Sequence, residues 1–339
     1  MRFQRWVNGF GFSFCQSRFG YCILFLSTFL SMSHPLYADP NISRSVVSQK
    51  IIQSSRMEVF ILGVAQDAGY PQINCYKPHC MPGWEDVTKR RMATSLALVD
   101  HRHKSFYLFE ATPDIKQQLY QVYRQFGNYH LAGIFLTHAH MGHYTGLMHL
   151  GREAQGASNI PVYAMPRMIQ FLSDNGPWSQ LVKLKNIQLN SIQNNQAVEI
   201  ADGVAVIPFI VPHRDEFSET VGFKIVHNNK SLLFIPDIDK WRRWKTDVRP
   251  LIEQVDYALL DATFYAAGEI KNRDMSEIPH PFVEESMLYF SSLSKADKRK
   301  VHFIHFNHSN PLLIENSEAQ ADVLKAGYRF AKEGMRIKF

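Results

Sequence analysis

The chain has 339 residues, 45% apolar and 20% charged, with a formal net charge of +6. That balance is ordinary for a globular protein with a sizeable core and excludes a fibrous or wholly disordered chain. No basic stripe with interleaved aromatic residues is present, so nucleic-acid binding has no sequence support.

In chain order, residues 1–38 stand apart. Arg2, Arg5 and Arg18 precede the apolar run Tyr21–Leu26, which continues through Phe29 and Leu30, and Pro35-Leu36-Tyr37-Ala38 follows. A positive start, a short apolar middle and a small residue at the end read as a secretory signal cleaved after Ala38. The run is too short and too Ser-interrupted for a comfortable membrane span, and an uncleaved anchor is the alternative. The expectation is a periplasmic or secreted protein without stable membrane insertion once the signal is removed. The signal carries three arginines and no acid, so the mature chain is only mildly basic. Residues 39–56 are polar and Ser-rich and read as a linker, and residues 57–339 as one domain.

Two of the four cysteines fall in the signal, leaving Cys75 and Cys80. In an oxidising compartment they are either a local disulfide or part of a small structural metal site with His79.

Strands are expected at 59–64, 95–99, 105–109, 133–136, 161–164, 204–210, 221–226, 231–235, 257–260 and 301–304. Helical patterns cover 113–126, 142–155, 167–175, 281–293 and 317–333. Strands in both halves with helices between them indicate a layered α/β protein. Trp178, Trp241 and Trp244 are either packing residues or a pocket lining.

The strongest chemical signal is Thr137-His138-Ala139-His140-Met141-Gly142-His143, directly after the apolar segment Ile134-Phe135-Leu136. Three imidazoles at a strand end need polar partners. On a tight loop His138 and His140 can face one ion and His143 a second, and neutral imidazole suits zinc, iron or manganese. Three weaker elements follow: His213 after strand 204–210, Asp237 at the end of Leu232–Ile235, and His305 at the end of strand 301–304. A carboxylate at the position of Asp237 is suited to bridge two cations. His308, Asp261 and His280 are candidate proton carriers, with pocket shaping as the other role for His280.

These elements in this order resemble the metallo-β-lactamase superfamily, whose loop reads His-x-His-x-Asp-His. The resemblance runs from Met57 onward and implies a four-layer αββα sandwich. It implies a first metal site of His138, His140 and His213, and a second of His143, Asp237 and His305 with Asp237 bridging. Glu110 falls where the superfamily places a buried acid that supports the metal loop. Within the superfamily, Leu62-Gly63-Val64-Ala65-Gln66-Asp67-Ala68-Gly69-Tyr70-Pro71-Gln72, Asn74-Cys75, Phe109–Ile115, Asp261–Phe264 and Ile304–Pro311 resemble the coenzyme PQQ synthesis protein B branch. That branch binds structural zinc through a cysteine cluster, and here the middle cysteine is missing, with Lys77 nearby.

Two departures stand out. Gly142 replaces the acid of the loop, which is expected to weaken the second site. His138 and His140 are retained where the branch often has acids, which favours hydrolysis. The reading is therefore a hydrolase of one or two metal ions, zinc first and iron or manganese as alternatives. It would act on a small-molecule ester, lactone, amide or phosphodiester. The rival readings are an oxidative metalloenzyme like the PQQ branch and a non-catalytic periplasmic metal-binding module.

Overall fold

The structure is a computed structural model that describes residues 57–339; the signal and linker of the sequence reading lie outside the described residues. Fourteen strands form two seven-stranded sheets. They are β1 (Met57–Gly63), β2 (Ser95–Asp100), β3 (Ser105–Phe109), β4 (His130–Phe135), β5 (Ile160–Ala164), β6 (Ile187–Ser191), β7 (Val198–Ala201), β8 (Val204–Ile210), β9 (Val221–His227), β10 (Lys230–Ile235), β11 (Tyr257–Asp261), β12 (Val301–Ile304), β13 (Arg329–Phe330) and β14 (Arg336–Lys338). The first sheet has the order β14-β1-β2-β3-β4-β5-β6, and the second β13-β12-β11-β10-β9-β8-β7.

Strand alternation explains the layering. In β1, Val59 and Ile61 enter the core shared with the second sheet, while Phe60 and Leu62 enter a separate core on the other face. Successive side chains point to opposite faces, so a strand that is apolar at every position must be covered twice. The inner contact is aromatic: Phe109 of β3 lies 5.5 Å from Phe223 of β9 and 6.3 Å from Phe234 of β10, ring centre to ring centre. The outer core of the first sheet takes Ile115 and Val122 from helix Ile115–Phe126, and Met168 and Leu172 from helix Pro166–Asp174. Helices Val248–Glu253, Val283–Tyr289 and Glu318–Lys325 bury Val248, Ile252, Val283, Ala319 and Val323 in the core of the second sheet. Helices on both sides of two packed sheets make the expected αββα sandwich.

Some local expectations were too long. The pattern at 142–155 forms only the short helix Met141–Tyr144 and the 3₁₀ segment Thr145–Leu150. Gly146 explains the tight turn: a Cβ there would lie 2.1 Å from the Thr112 carbonyl oxygen. The pattern at 317–333 stops at Lys325, because Gly327 takes φ 95° and the chain turns into β13. Strands β6, β7, β13 and β14 were not expected. They lie towards the sheet margins, where apolar patterning is weakest.

No helix among the described residues is long and apolar enough to cross a membrane.

Candidate metal centre

The ends of the strands carry the site. β4 ends at Phe135 and delivers Thr137–His143, β8 delivers His213, β10 delivers Asp237, β11 ends in Asp261 and β12 delivers His305. Two histidine-rich sets of ligand atoms result, His138, His140, His213 and Asp237 in one and Asp67, His143 and His305 in the other, each within 4.8 Å, with Asp237, Asp261 and His280 as a third group beside them. Asp237 joins them. Its Oδ2 lies 3.3 Å from His138 Nε2 and 3.5 Å from His143 Nε2, and its Oδ1 lies 3.3 Å from His213 Nε2.

Four of the five imidazoles are hydrogen-bonded through their outer nitrogen, and His143 faces Glu110 at ion-pair distance, which turns the other nitrogens inward. His138 Nδ1 is 2.8 Å from Thr137 Oγ1, His305 Nδ1 is 3.0 Å from Thr263 Oγ1, and His213 Nδ1 is 3.3 Å from Asp239 Oδ1. His140 Nε2 is 3.2 Å from Glu216 Oε2, and His143 Nδ1 is 3.6 Å from Glu110 Oε2. Such outer partners orient and polarise metal-bound histidines.

The inward atoms fit a cation and little else. Buried His143 Nε2, His213 Nε2, His305 Nε2, Asp237 Oδ1 and Asp67 Oδ1 have no hydrogen-bond partner among the described residues. Buried polar atoms left unpaired cost free energy, and these five, divided between the two ligand sets, are donor types that suit divalent ions. His138 Nε2 and His140 Nδ1 approach to 2.8 Å, as two nitrogens aimed at one point would.

Charge in the cluster points the same way. Burial opposes ionisation of Asp237, but His213, His280, His138 and His143 outweigh it and hold its pKa well below the usual carboxylate range. Burial likewise opposes a charge on His143, yet Asp237, Asp67 and Glu110 raise its pKa well above the usual value. The acids therefore draw positive charge into a buried space. Asp67, Glu110 and His305 also hold positive φ angles of 30°, 78° and 69°. Residues other than glycine rarely adopt them, and such strain persists where the surrounding structure enforces it.

Solvent reaches the cluster at one edge. The His140 side chain keeps 18% exposure, whereas those of His138, His143 and Asp237 keep 3% or less.

Residues 106–306 match a family described as a beta-lactamase superfamily domain. The chain belongs to the metallo-β-lactamase superfamily. It is 27% identical over 306 residues to the coenzyme PQQ synthesis protein B of Methylobacterium sp. (strain 4-46), covering 83% of this chain and 99% of that protein. Among solved structures, the zinc-bound PqqB of Methylobacterium extorquens has a TM-score of 0.70 at 24% identity, covering 83% of this chain and all of that one. A diphosphatase of the PhnP family has a TM-score of 0.61 at 22% identity, covering 84% and 97%. The last two similarities concern the fold.

Set against the superfamily pattern, the structure brings His138, His140, His143, His213, Asp237 and His305 together. Asp261 serves otherwise than as a free proton carrier. Its carboxylate accepts hydrogen bonds from the backbone N–H groups of Ile238 and Thr263 and from Thr263 Oγ1, and lies 2.8 Å from His280 Nδ1. His280 reaches Asp237 as well, at 3.1 Å. Burial opposes its charge, but Asp261 and Asp237 push its pKa up to about 9. His308, a candidate proton carrier from the sequence, is not among the side chains of either ligand set. It joins Cys75, His79 and Cys80 in a separate cluster of ligand atoms within 4.8 Å. His305 holds a left-handed backbone, so the chain turns there and carries His308 away. Cys75 and Cys80 are free thiols, not a disulfide. Trp241 is packing: it is buried in the core, with Nε1 donating to Ser286 Oγ.

Sequence reading missed Asp67, Asp239 and Glu216. Asp67 stood inside a quoted motif, but nothing local linked it to histidines more than seventy residues away. Asp239, two residues after Asp237, carried a signal that was available: a second acid beside a ligand position.

Proposed function

We propose that this chain is a metal-dependent hydrolase that acts on an ester, lactone, amide or phosphodiester bond of a small molecule. The observation that carries the reading is Asp237, buried between the two ligand sets with each oxygen facing imidazoles. His138, His140, His213 and Asp237 would hold one divalent ion, and His143, His305 and Asp237 a second. Zinc is the ion named for the similar PqqB structure and suits this nitrogen and oxygen donor set. Bound there, it would supply Lewis acidity and lower the pKa of water from about 15.7 toward about 7.

The chain's own residues set up the rest. Thr137, Asp239, Thr263 and Glu216 hold four of the imidazoles by hydrogen bonds and Glu110 faces the fifth as an ion-pair partner, so little reorganisation is needed when substrate binds. Asp237 stays ionised among its histidines and can orient a proton between the two positions. His280, steered by Asp261, stands beside Asp237 on the side of β11. Substrate would enter past His140, where Glu216 is half exposed and the neighbouring Met141 and Phe217 are exposed.

The test is zinc content and turnover on ester, lactone and phosphodiester panels, with His138→Ala as the control. Zinc-dependent turnover lost in His138→Ala supports hydrolysis; turnover that survives zinc removal and this substitution overturns it. A second reading rests on the near full-length similarity to a PQQ synthesis protein B: an oxidative metalloenzyme. Iron in the purified protein with oxygen consumption would favour it. Export is proposed alongside, on the signal of residues 1–38, and a mature N-terminus other than Asp39 would count against cleavage there.

A further inference from the structure

We propose that Asp67 is the carboxylate ligand of the second metal position, and that the glycine at 142 is the vacancy that admits it. The superfamily loop places an acid where this chain has Gly142, so the second position lacks a carboxylate of its own. Space forbids both acids at once. A Cβ at residue 142 would lie 2.3 Å from Asp67 Cα, 2.3 Å from Asp67 Oδ1 and 2.8 Å from Asp67 Cβ. Real Cβ atoms do not approach backbone that closely, so either residue 142 stays glycine or the 67 loop moves. The lost carboxylate is supplied from the turn that follows β1, into the same space.

Asp67 is aimed and held for this role. Its Oδ1 is buried, has no hydrogen-bond partner among the described residues and lies 3.2 Å from His143 Nε2. The Asp67 side chain as a whole keeps 41% exposure, so it stands at the rim of the ligand set with Oδ1 buried. The loop is pinned next to the other ligand of this position. Ala65 forms a bridge with Phe306, Gln66 N–H donates to Phe306 C=O at 2.8 Å, and Phe306 N–H donates to Val64 C=O at 2.8 Å. Phe306 follows His305 directly. Asp67 and His305 therefore sit on two segments hydrogen-bonded to each other, and their separation is set by backbone pairing, not by a flexible loop. The positive φ of both residues is part of that arrangement.

The inference rests on the metal-site reading above, and its test separates the two. Zinc per chain and zinc affinity, by elemental mass spectrometry and competition with a chromophoric chelator, would be measured for five forms: wild type, His138→Ala, Asp67→Asn, Gly142→Asp and the double variant Asp67→Gly/Gly142→Asp. Asp67→Asn keeps the shape of the side chain and should fold as wild type. It should hold one zinc fewer, or bind that zinc at least about 100-fold more weakly, because loss of even an outer partner costs about 10- to 100-fold. Gly142→Asp alone should lower the melting temperature and weaken zinc. The double variant should regain wild-type zinc stoichiometry, with the carboxylate exchanged between positions. Wild type without zinc that depends on His138 overturns both readings. Zinc that depends on His138 but is unchanged in Asp67→Asn overturns this one alone, as does Gly142→Asp that melts like wild type and binds zinc equally well.

Discussion

The centre at the strand ends and the cluster at the Cys75–Cys80 loop both gather metal-binding atoms, yet they are built differently. At the first, acids stand behind the imidazoles: Glu110 behind His143, Asp239 behind His213 and Glu216 behind His140. At the second, Cys75, His79, Cys80 and His308 face one another, and the charge nearest the histidines is Lys77. Burial and Lys77 lower the pKa of His79, and burial, His79 and Lys77 bring that of His308 down to about 4. Burial, with Cys75 adding to it, pushes Cys80 up to about 11. The first centre is thus charged and oriented by its surroundings. The second gathers two cysteine sulfurs and two imidazoles, a donor set that suits a structural ion. A catalytic centre needs supports that hold its ligands in place before the substrate arrives; a closed cluster needs only its ligands.

Several experiments would break or sharpen this contrast. The largest effect is expected for Asp237→Ala, which removes the shared carboxylate: zinc affinity at the strand-end centre should fall more than about 100-fold, with zinc at the cysteine cluster unchanged. Equal loss at both would show that the two are not independent. Cys75→Ser with Cys80→Ser should do the reverse. Turnover should persist while one zinc is lost, and stability should drop by about 3 kcal/mol where free zinc stands near 100 times its Kd, read as a lowered melting temperature that chelator no longer changes. Next, Asp239→Asn, which keeps the side chain's size but not its charge, should weaken zinc by about 10- to 100-fold, detectable by chelator competition. Among the described residues no such outer acid pairs with His79 or His308 to be tested in the same way.

The smallest effect comes from a buried acid without a histidine. Glu333 accepts a hydrogen bond from the backbone N–H of Met92, and burial pushes its pKa up to about 8, opposite in direction to Asp237. The folded state therefore keeps the proton that the unfolded chain releases near pH 4.5. Stability contributed by the neutral form is complete below about pH 4.5 and is lost as pH rises towards 8. Glu333→Gln should flatten that decline by about 1–2 kcal/mol, allowing for partial exposure, as measured by urea unfolding at pH 5 and pH 9. A slope unchanged by Glu333→Gln would assign the loss to other groups.

Much of the molecule was legible in advance because the signals were local. The strands that carry ligands are apolar or alternating runs bounded by turn residues, and His138, His140, His143, His213, Asp237 and His305 follow directly at their ends. An imidazole next to the end of a buried strand has few places to go, so its approach to the other strand-end side chains could be read in one dimension. The layered α/β class followed from the same runs, and the four-layer sandwich was what the family resemblance implied.

What the sequence could not decide is how segments far apart in the chain meet. The β1 end pairs with the segment after β12, and that pairing, not any local pattern, carries Asp67 to His143 and His305. His308, three residues after His305, goes instead to the cysteine loop because the backbone turns at His305. Gly142, read alone as a missing ligand, is in space the clearance for Asp67. Composition and periodicity record which residues are buried and which face they share. Only the packed structure sets distances between residues from different strands, and a metal centre is defined by those distances.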